Sequence, residues 1–183
     1  MSRRGGRGDG PSPDAAWRTL GLMNDWIKHA DAKAGITLAA TGTGAVLLFN
    51  LTKSIPPDSQ WLYFTPSAVC TALLLWTAFC CTKALIPRTK STDEVVSSQT
   101  LKQKNPLFYG DIATGWKRES YVRLASRLSM DNESLIAHLG AQIHVNGDIA
   151  TIKFRWTNRA VRWLAVAAAA LAAVAVCVLV SNA

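Results

Sequence analysis

This sequence predicts an all-α membrane protein with three transmembrane helices, on three observations. Apolar residues make up 49% of the 183 and are clustered rather than scattered. Three stretches of roughly 18 or more residues lack charge, about what a helix needs to cross ~30 Å of hydrocarbon at ~1.5 Å per residue. Basic residues collect beside those stretches, as they do around membrane spans.

The elements follow in chain order. Residues 1–13 are rich in Gly, Arg and Pro and predict a disordered basic tail, with Arg3, Arg4 and Arg7 near anionic lipid. Ser12-Pro13-Asp14 reads as a helix start: a hydroxyl cap, a proline at the first helical position and a carboxylate near the positive end of the dipole. Over residues 14–33, Trp17, Leu20, Met23, Ile27 and Ala30 recur at spacings of three and four, which predicts an amphipathic helix lying against the membrane or a neighbour.

The first span, 34–51, is half small residues, including Gly35, Gly42 and Gly44. Such a helix lets another backbone approach closely, and its threonines can bond across helices. Packing within the chain and packing between copies both remain open. Residues 52–60, with Pro56-Pro57-Asp58, form a turn. The second span, 61–85, has Trp61, Tyr63 and Phe64 at headgroup depth on one side and Lys83 at the other. Pro66 falls in its first turns, where a missing amide costs little.

Residues 87–159 form a cytoplasmic helical sensor segment. The polar stretch 90–103 predicts a loop, and an apolar cluster starting at Asn105-Pro106-Leu107 follows. A helix is expected over 115–129, with Tyr121, Leu124 and Leu128 on one face. Asp131 is a plausible cap for the next helix. From there Leu135, Leu139, Ile143, Asn146, Ile149 and Lys153 keep helical spacing, and no proline interrupts the chain before the third span at 163–180. One continuous helix from cytosol into bilayer is therefore possible, with Gly140 and Gly147 as weak points costing about 1 kcal/mol each relative to Ala.

Orientation follows from charge. Arg18, Lys28 and Lys33 join the tail arginines before the first span, Lys53 alone lies in the first loop, and Lys153, Arg155, Arg159 and Arg162 precede the last span. The amino terminus and the 87–159 segment are thus expected on the cytoplasmic side of a bacterial inner membrane.

Several function classes lose ground. The net charge of +8 is explained by topology and anionic headgroups before nucleic acid, and no nucleic-acid partner is expected. Cys70, Cys80, Cys81 and Cys177 all lie in apolar stretches, away from any disulfide or zinc pattern. His29, His138 and His144 are scattered, so no metal site is expected. No phosphate loop, nucleophile elbow or HExxH appears, so no catalytic residue is assigned and an enzyme is not expected. The first apolar stretch starts after some 33 residues without a following cleavage site, so no secretory signal is expected.

Two clusters stand out as candidate sites. Asn24, Asp25, Lys28, Asp31 and Lys33 sit just before the first span. Lys28 and Asp31 are three apart and Asn24 is seven before Asp31 on the same face, so the cluster is either a solvated helix end or a polar contact coupling the soluble segment to the membrane helices. Phe108-Tyr109-Gly110-Asp111 is unusual for a polar region. Gly110 would supply a backbone conformation other residues resist, and Asp111 could cap the next helix. The aromatics either plug a small core or, with Lys117, Arg118 and Arg123, stack a base and hold a phosphate.

At these clusters the chain resembles the transmembrane effectors of Pycsar, the pyrimidine cyclase system for antiphage resistance. The motifs are the run Asn24-Asp25-Trp26-Ile27-Lys28-His29-Ala30-Asp31-Ala32-Lys33-Ala34, the segment Leu107-Phe108-Tyr109-Gly110-Asp111-Ile112, and Leu139-Gly140-Ala141-Gln142-Ile143 through Lys153-Phe154-Arg155-Trp156. The resemblance adds Gln142 to the ligand-binding or coupling candidates. It implies a membrane effector that responds to a cyclic pyrimidine mononucleotide, cCMP or cUMP from a partner cyclase, by impairing the inner membrane and causing abortive infection. It implies no cofactor beyond that activating ligand, and a homo-oligomer is expected. Two departures stand beside it: Gly115-Trp116-Lys117-Arg118 precedes Glu119 where relatives often open the helix with acidic residues, and no cassette of the common cyclic-nucleotide domain is present. A membrane anchor or scaffold that recruits a cytoplasmic partner without permeabilising the bilayer is the alternative. A small channel is disfavoured by the lack of charge within the spans.

Overall fold

The computed structural model describes residues 12–53, 60–86 and 105–181. Helices make up 92% of these residues and no strand occurs among them. The five helices are α1 (Asp14–Lys53), α2 (Gln60–Leu85), α3 (Tyr109–Gly115), α4 (Arg118–Leu128) and α5 (Asn132–Ser181). Three of them, α1, α2 and α5, are long and apolar enough to cross a membrane. The basic tail before residue 12, the Pro56-Pro57-Asp58 turn and the 90–103 loop lie outside the described residues.

The chain forms two compact units. Helices α1 and α5 each contribute to both, the first unit taking residues up to Trp26 and 88–149, the second taking 27–87 and 150–183. The amphipathic segment and the first span, read separately in the sequence, are thus one 40-residue helix. The continuous last helix expected from the sequence is present and runs 50 residues. Gly140 and Gly147 do not interrupt it, because ~1 kcal/mol of lost propensity at two positions is small against two long neighbouring runs of helical hydrogen bonds.

Helix starts follow local chemistry. The Asp14 amide donates to Ser12 Oγ at 3.3 Å, and the Trp17 amide makes the first helical bond to the Pro13 carbonyl at 3.0 Å. At the other long helix the Ser134 amide donates to Asp131 Oδ1 at 3.2 Å, the expected cap. The α2 helix accommodates Pro66 near its start and ends at Leu85, just before Pro87.

In the second unit α2 packs antiparallel to α5. The Tyr63 hydroxyl reaches the Cys177 carbonyl at 3.5 Å, and the Cys70 thiol lies 3.8 Å from the Ala167 carbonyl. The apolar core there contains Leu48, Tyr63, Cys70, Leu74, Val174 and Val178, with a second cluster of Cys80, Cys81 and Ala160 packed by Leu38 and Trp156. All four cysteines are free, and Cys70, Cys80 and Cys81 pack as small apolar side chains. Ile36, Phe49, Phe64, Leu75 and Leu179 point outward, the arrangement expected of residues that face lipid.

The first span uses its small residues differently from expectation. Its buried face is Ala30, Ala34, Thr37, Thr41 and Leu48. Added methyls at Gly35 and Gly42 would meet nothing within 4 Å, whereas at Gly44 one would come 3.3 Å from Leu74 Cδ2. Thr37 and Thr41 do not bond across helices. Each donates back to the carbonyl four residues earlier at 2.8 Å, an acceptor that is always in reach on the same helix.

Candidate functional site

In the first unit the interior is polar. Asn105, Asp111, Gln142 and Asn146 are all buried, at 3 to 8% exposure. They form an unbroken chain of hydrogen bonds. The Asn105 backbone amide donates to Asp111 Oδ2 at 2.8 Å, and Asn105 Nδ2 donates to Gln142 Oε1 and to the His138 carbonyl, both at 3.3 Å. Gln142 Nε2 in turn donates to Asn146 Oδ1 at 3.0 Å, and Asn146 Nδ2 donates to Asn24 Oδ1 at 2.9 Å. The chain thus starts at the segment before α3, crosses α5 one helical turn at a time, and ends on α1.

Each link depends on its neighbours. A buried amide left without its partner costs about 1–3 kcal/mol, whereas a fully satisfied network fixes one arrangement of the elements it joins. Asn105 holds the centre: its side-chain oxygen also accepts the Leu107 amide at 3.0 Å, which shapes the turn into α3. The Tyr121 hydroxyl donates to the Pro106 carbonyl at 3.1 Å and ties α4 to the same turn.

Two expectations about this cluster are corrected. Asp111 does not cap the following helix, because it lies in the first turn of α3 and its carboxylate is occupied by the Asn105 amide. Gly110 takes no left-handed conformation. It is required by space instead: a Cβ there would stand 2.7 Å from Cε1 of Phe108, whose ring is buried. The helix expected over 115–129 is Arg118–Leu128, because Gly115 ends α3 and Trp116 and Lys117 are extended. The two aromatics divide their roles, Phe108 buried at 5% and Tyr109 exposed at 61%.

In the second unit Asp31 forms an ion pair with Lys153 of α5. The Lys153 side chain is buried at 8%, and that of Asp31 is 38% exposed. A turn further on, Thr157 Oγ1 lies 3.5 Å from the Ala30 carbonyl, a second contact between α1 and α5. The Asn24 to Asn146 and Asp31 to Lys153 bonds have the same sequence separation, 122 residues. Asn24, Asp25, Lys28 and Lys33 of the predicted cluster are themselves exposed.

The structure thus brings Asp111 and Gln142 together in one buried chain that ends on the exposed Asn24, and sets Asp31 against α5. Asn105, Asn146 and Lys153 are the partners that sequence reasoning did not assign. One signal could have found two of them: Asn146 and Lys153 repeat on α5 the seven-residue spacing of Asn24 and Asp31 on α1. His144 and Asp148 approach to 3.6 Å on the exposed side of α5, and no metal-binding group of three ligands occurs among the described residues.

Three membrane-length helices and a small helical unit cored by amides and a carboxylate define an all-α membrane protein with a polar-centred module. Residues 15–180 match the family described as the Pycsar effector protein domain. The chain is also 35% identical over 158 residues to the Pycsar effector protein PtPycTM of Propioniciclava tarda, covering 85% of this chain and 75% of that protein. The chain belongs to the Pycsar effector family, whose role is antiphage defence. No solved structure matches it.

Proposed function

We propose that the protein is a membrane effector that responds to a cyclic pyrimidine nucleotide, cCMP or cUMP supplied by a partner cyclase, by impairing the inner membrane and causing abortive infection. The observation that carries this reading is the buried hydrogen-bond chain of the first unit, considered together with the family. It joins the segment around α3 to α5 and α1, and those two helices are the ones that continue as apolar runs of membrane-spanning length.

A ligand shifts such a protein only by binding one packing better than another. A buried chain of amides suits that task, since its donors and acceptors exchange partners as a set and a partly paired arrangement is costly. The basic residues flanking the spans support a cytoplasmic first unit, where a cyclase product would reach it. The face of the first span that carries Gly35 and Gly42, where an added methyl would meet nothing within 4 Å, supports association between copies once activated.

Bacteria expressing the protein and loaded with a membrane-potential dye provide the test. Co-expression of a cyclase that makes cCMP or cUMP should collapse the potential within the time of one division, and the protein or the cyclase alone should not. An intact potential with both present contradicts the proposal and favours an anchor that recruits a partner.

A further inference from the structure

In the second unit α2 and α5 together present a face that changes from cationic through aromatic to apolar. Lys83, near the end of α2, has its Nζ 5.5 Å from the centre of the Phe79 ring, and Arg159 of α5 has its Cζ 5.1 Å from the centre of the Trp156 ring. The Phe79 and Trp156 rings meet edge to face at 6.3 Å, which brings the cations of the two helices to one rim. Phe79 also stacks on Trp76 at 5.5 Å. Trp76, with Val69, Ala72 and Leu73, forms one wall of an open groove of about 280 Å³ whose other wall is Trp163 of α5. Trp76, Phe79, Lys83, Arg159 and Trp163 are all exposed, so this face is turned away from the helix core. Neither Lys83 nor Arg159 takes part in an ion pair among the described residues, and no acidic residue occurs in α2 or in α5 beyond Asp148.

We propose that this face binds one anionic glycerophospholipid, with its phosphate on Lys83 and Arg159 and an acyl chain in the groove. Charge selects an anion. A ring face attracts a cation without neutralising it, so both cations remain available, and ammonium and guanidinium groups each donate to phosphate oxygens. Depth selects a lipid over a soluble phosphate. Residues 61–82 and 163–181 are uncharged, so Lys83 and Arg159 stand at the edge of the apolar band, where headgroups lie. Trp76 is two helical turns before Lys83, about 10 Å along the axis, and the headgroup layer is roughly 5–8 Å thick on each side of the hydrocarbon. A phosphate held by the two cations therefore has its acyl chain at the level of the groove, whereas a free phosphate leaves the groove empty. Trp76 and Trp163 at the groove suit the boundary between headgroup and chain. A zwitterionic lipid fits the groove equally but brings its own cation against Lys83 and Arg159.

The test uses the full chain purified in a neutral detergent and titrated with phosphatidylglycerol or phosphatidylcholine carrying the same brominated acyl chains, read by quenching of tryptophan fluorescence. The parent should bind phosphatidylglycerol roughly thirtyfold more tightly than phosphatidylcholine, the effect of two cations at headgroup depth. Lys83→Gln and Arg159→Gln should each weaken phosphatidylglycerol roughly fivefold and leave phosphatidylcholine unchanged. Lys83→Arg should keep the parent affinity, and Ala72→Phe, which fills the groove, should weaken both lipids. Ala72, Lys83 and Arg159 are exposed, so thermal unfolding of these variants should match the parent. Arg127→Gln removes one charge from the exposed surface of α4 in the first unit and should change neither affinity. Equal affinity of the parent for the two lipids, or no loss in Lys83→Gln and Arg159→Gln, overturns the proposal. An equal loss in Arg127→Gln overturns it in favour of general surface charge. Displacement of phosphatidylglycerol by an equal concentration of glycerol 3-phosphate overturns it in favour of a soluble phosphate.

Discussion

Among single residues, the informative ones are polar side chains kept from water. Gln142 accepts from Asn105 and donates to Asn146, so Gln142→Leu strands the Asn146 side-chain oxygen and removes one of the two acceptors of Asn105 Nδ2. A loss of about 1–3 kcal/mol is expected, read as a lower midpoint of thermal unfolding in detergent. The Asp31 to Lys153 pair calls for a different experiment. Asp31→Lys leaves two cations in contact, with the Lys153 side chain buried, and should reduce folded yield. Combining it with Lys153→Asp restores the pair and should recover most of that yield, whereas failure of the double variant to recover would mean that the two side chains do not act on each other. These residues also mark the limit of sequence reading. Asn24, Asp31 and Asp111 stand out in the sequence as members of unusual clusters, and Gln142 through the resemblance, but the partner of a buried amide is set by which helix packs against it. Asp31 has Lys28 within local reach, and local spacing suggests that pairing; the cation it meets on α5 is 122 residues away.

Among the helices, those that depend on period and caps were the easiest to foresee. Helix α5 shows an unbroken helical spacing with a cap at Asp131, and it forms as one piece. Helix α3 was hidden because seven residues are too few for periodicity to register, and because its glycine suggested a special backbone where the structure has a special contact. The two kinds of glycine give opposite predictions. Gly110→Ala drives a methyl to 2.7 Å from the buried Phe108 ring and should destabilise by about 1–3 kcal/mol. Gly140→Ala meets nothing and should stabilise by about 0.5–1 kcal/mol through helix propensity. Thermal unfolding of both variants beside the parent checks the pair, and equal midpoints would show that space at Gly110 is not limiting.

For the whole molecule, the composition made the membrane spans plain and the internal division of labour obscure. Hydropathy places the spans because hydrocarbon penalises any charge along a crossing helix, a rule that acts on sequence directly. It says nothing about α1 and α5 serving two compact units, because that follows from tertiary contacts. Each of the two helices runs unbroken from residues of one unit to residues of the other. Gly35→Leu and Gly42→Leu should leave the folded monomer intact, since both positions face open space, and should reduce any association between copies as read by crosslinking in membranes.

The most direct measurement is dye release from liposomes that contain the purified protein, titrated with cCMP and cUMP. The account predicts that one of the two releases dye at a concentration matching its binding, and that Gln142→Leu uncouples the two, retaining binding with little release. Binding without release in the parent protein, or release that ignores both nucleotides, would contradict it.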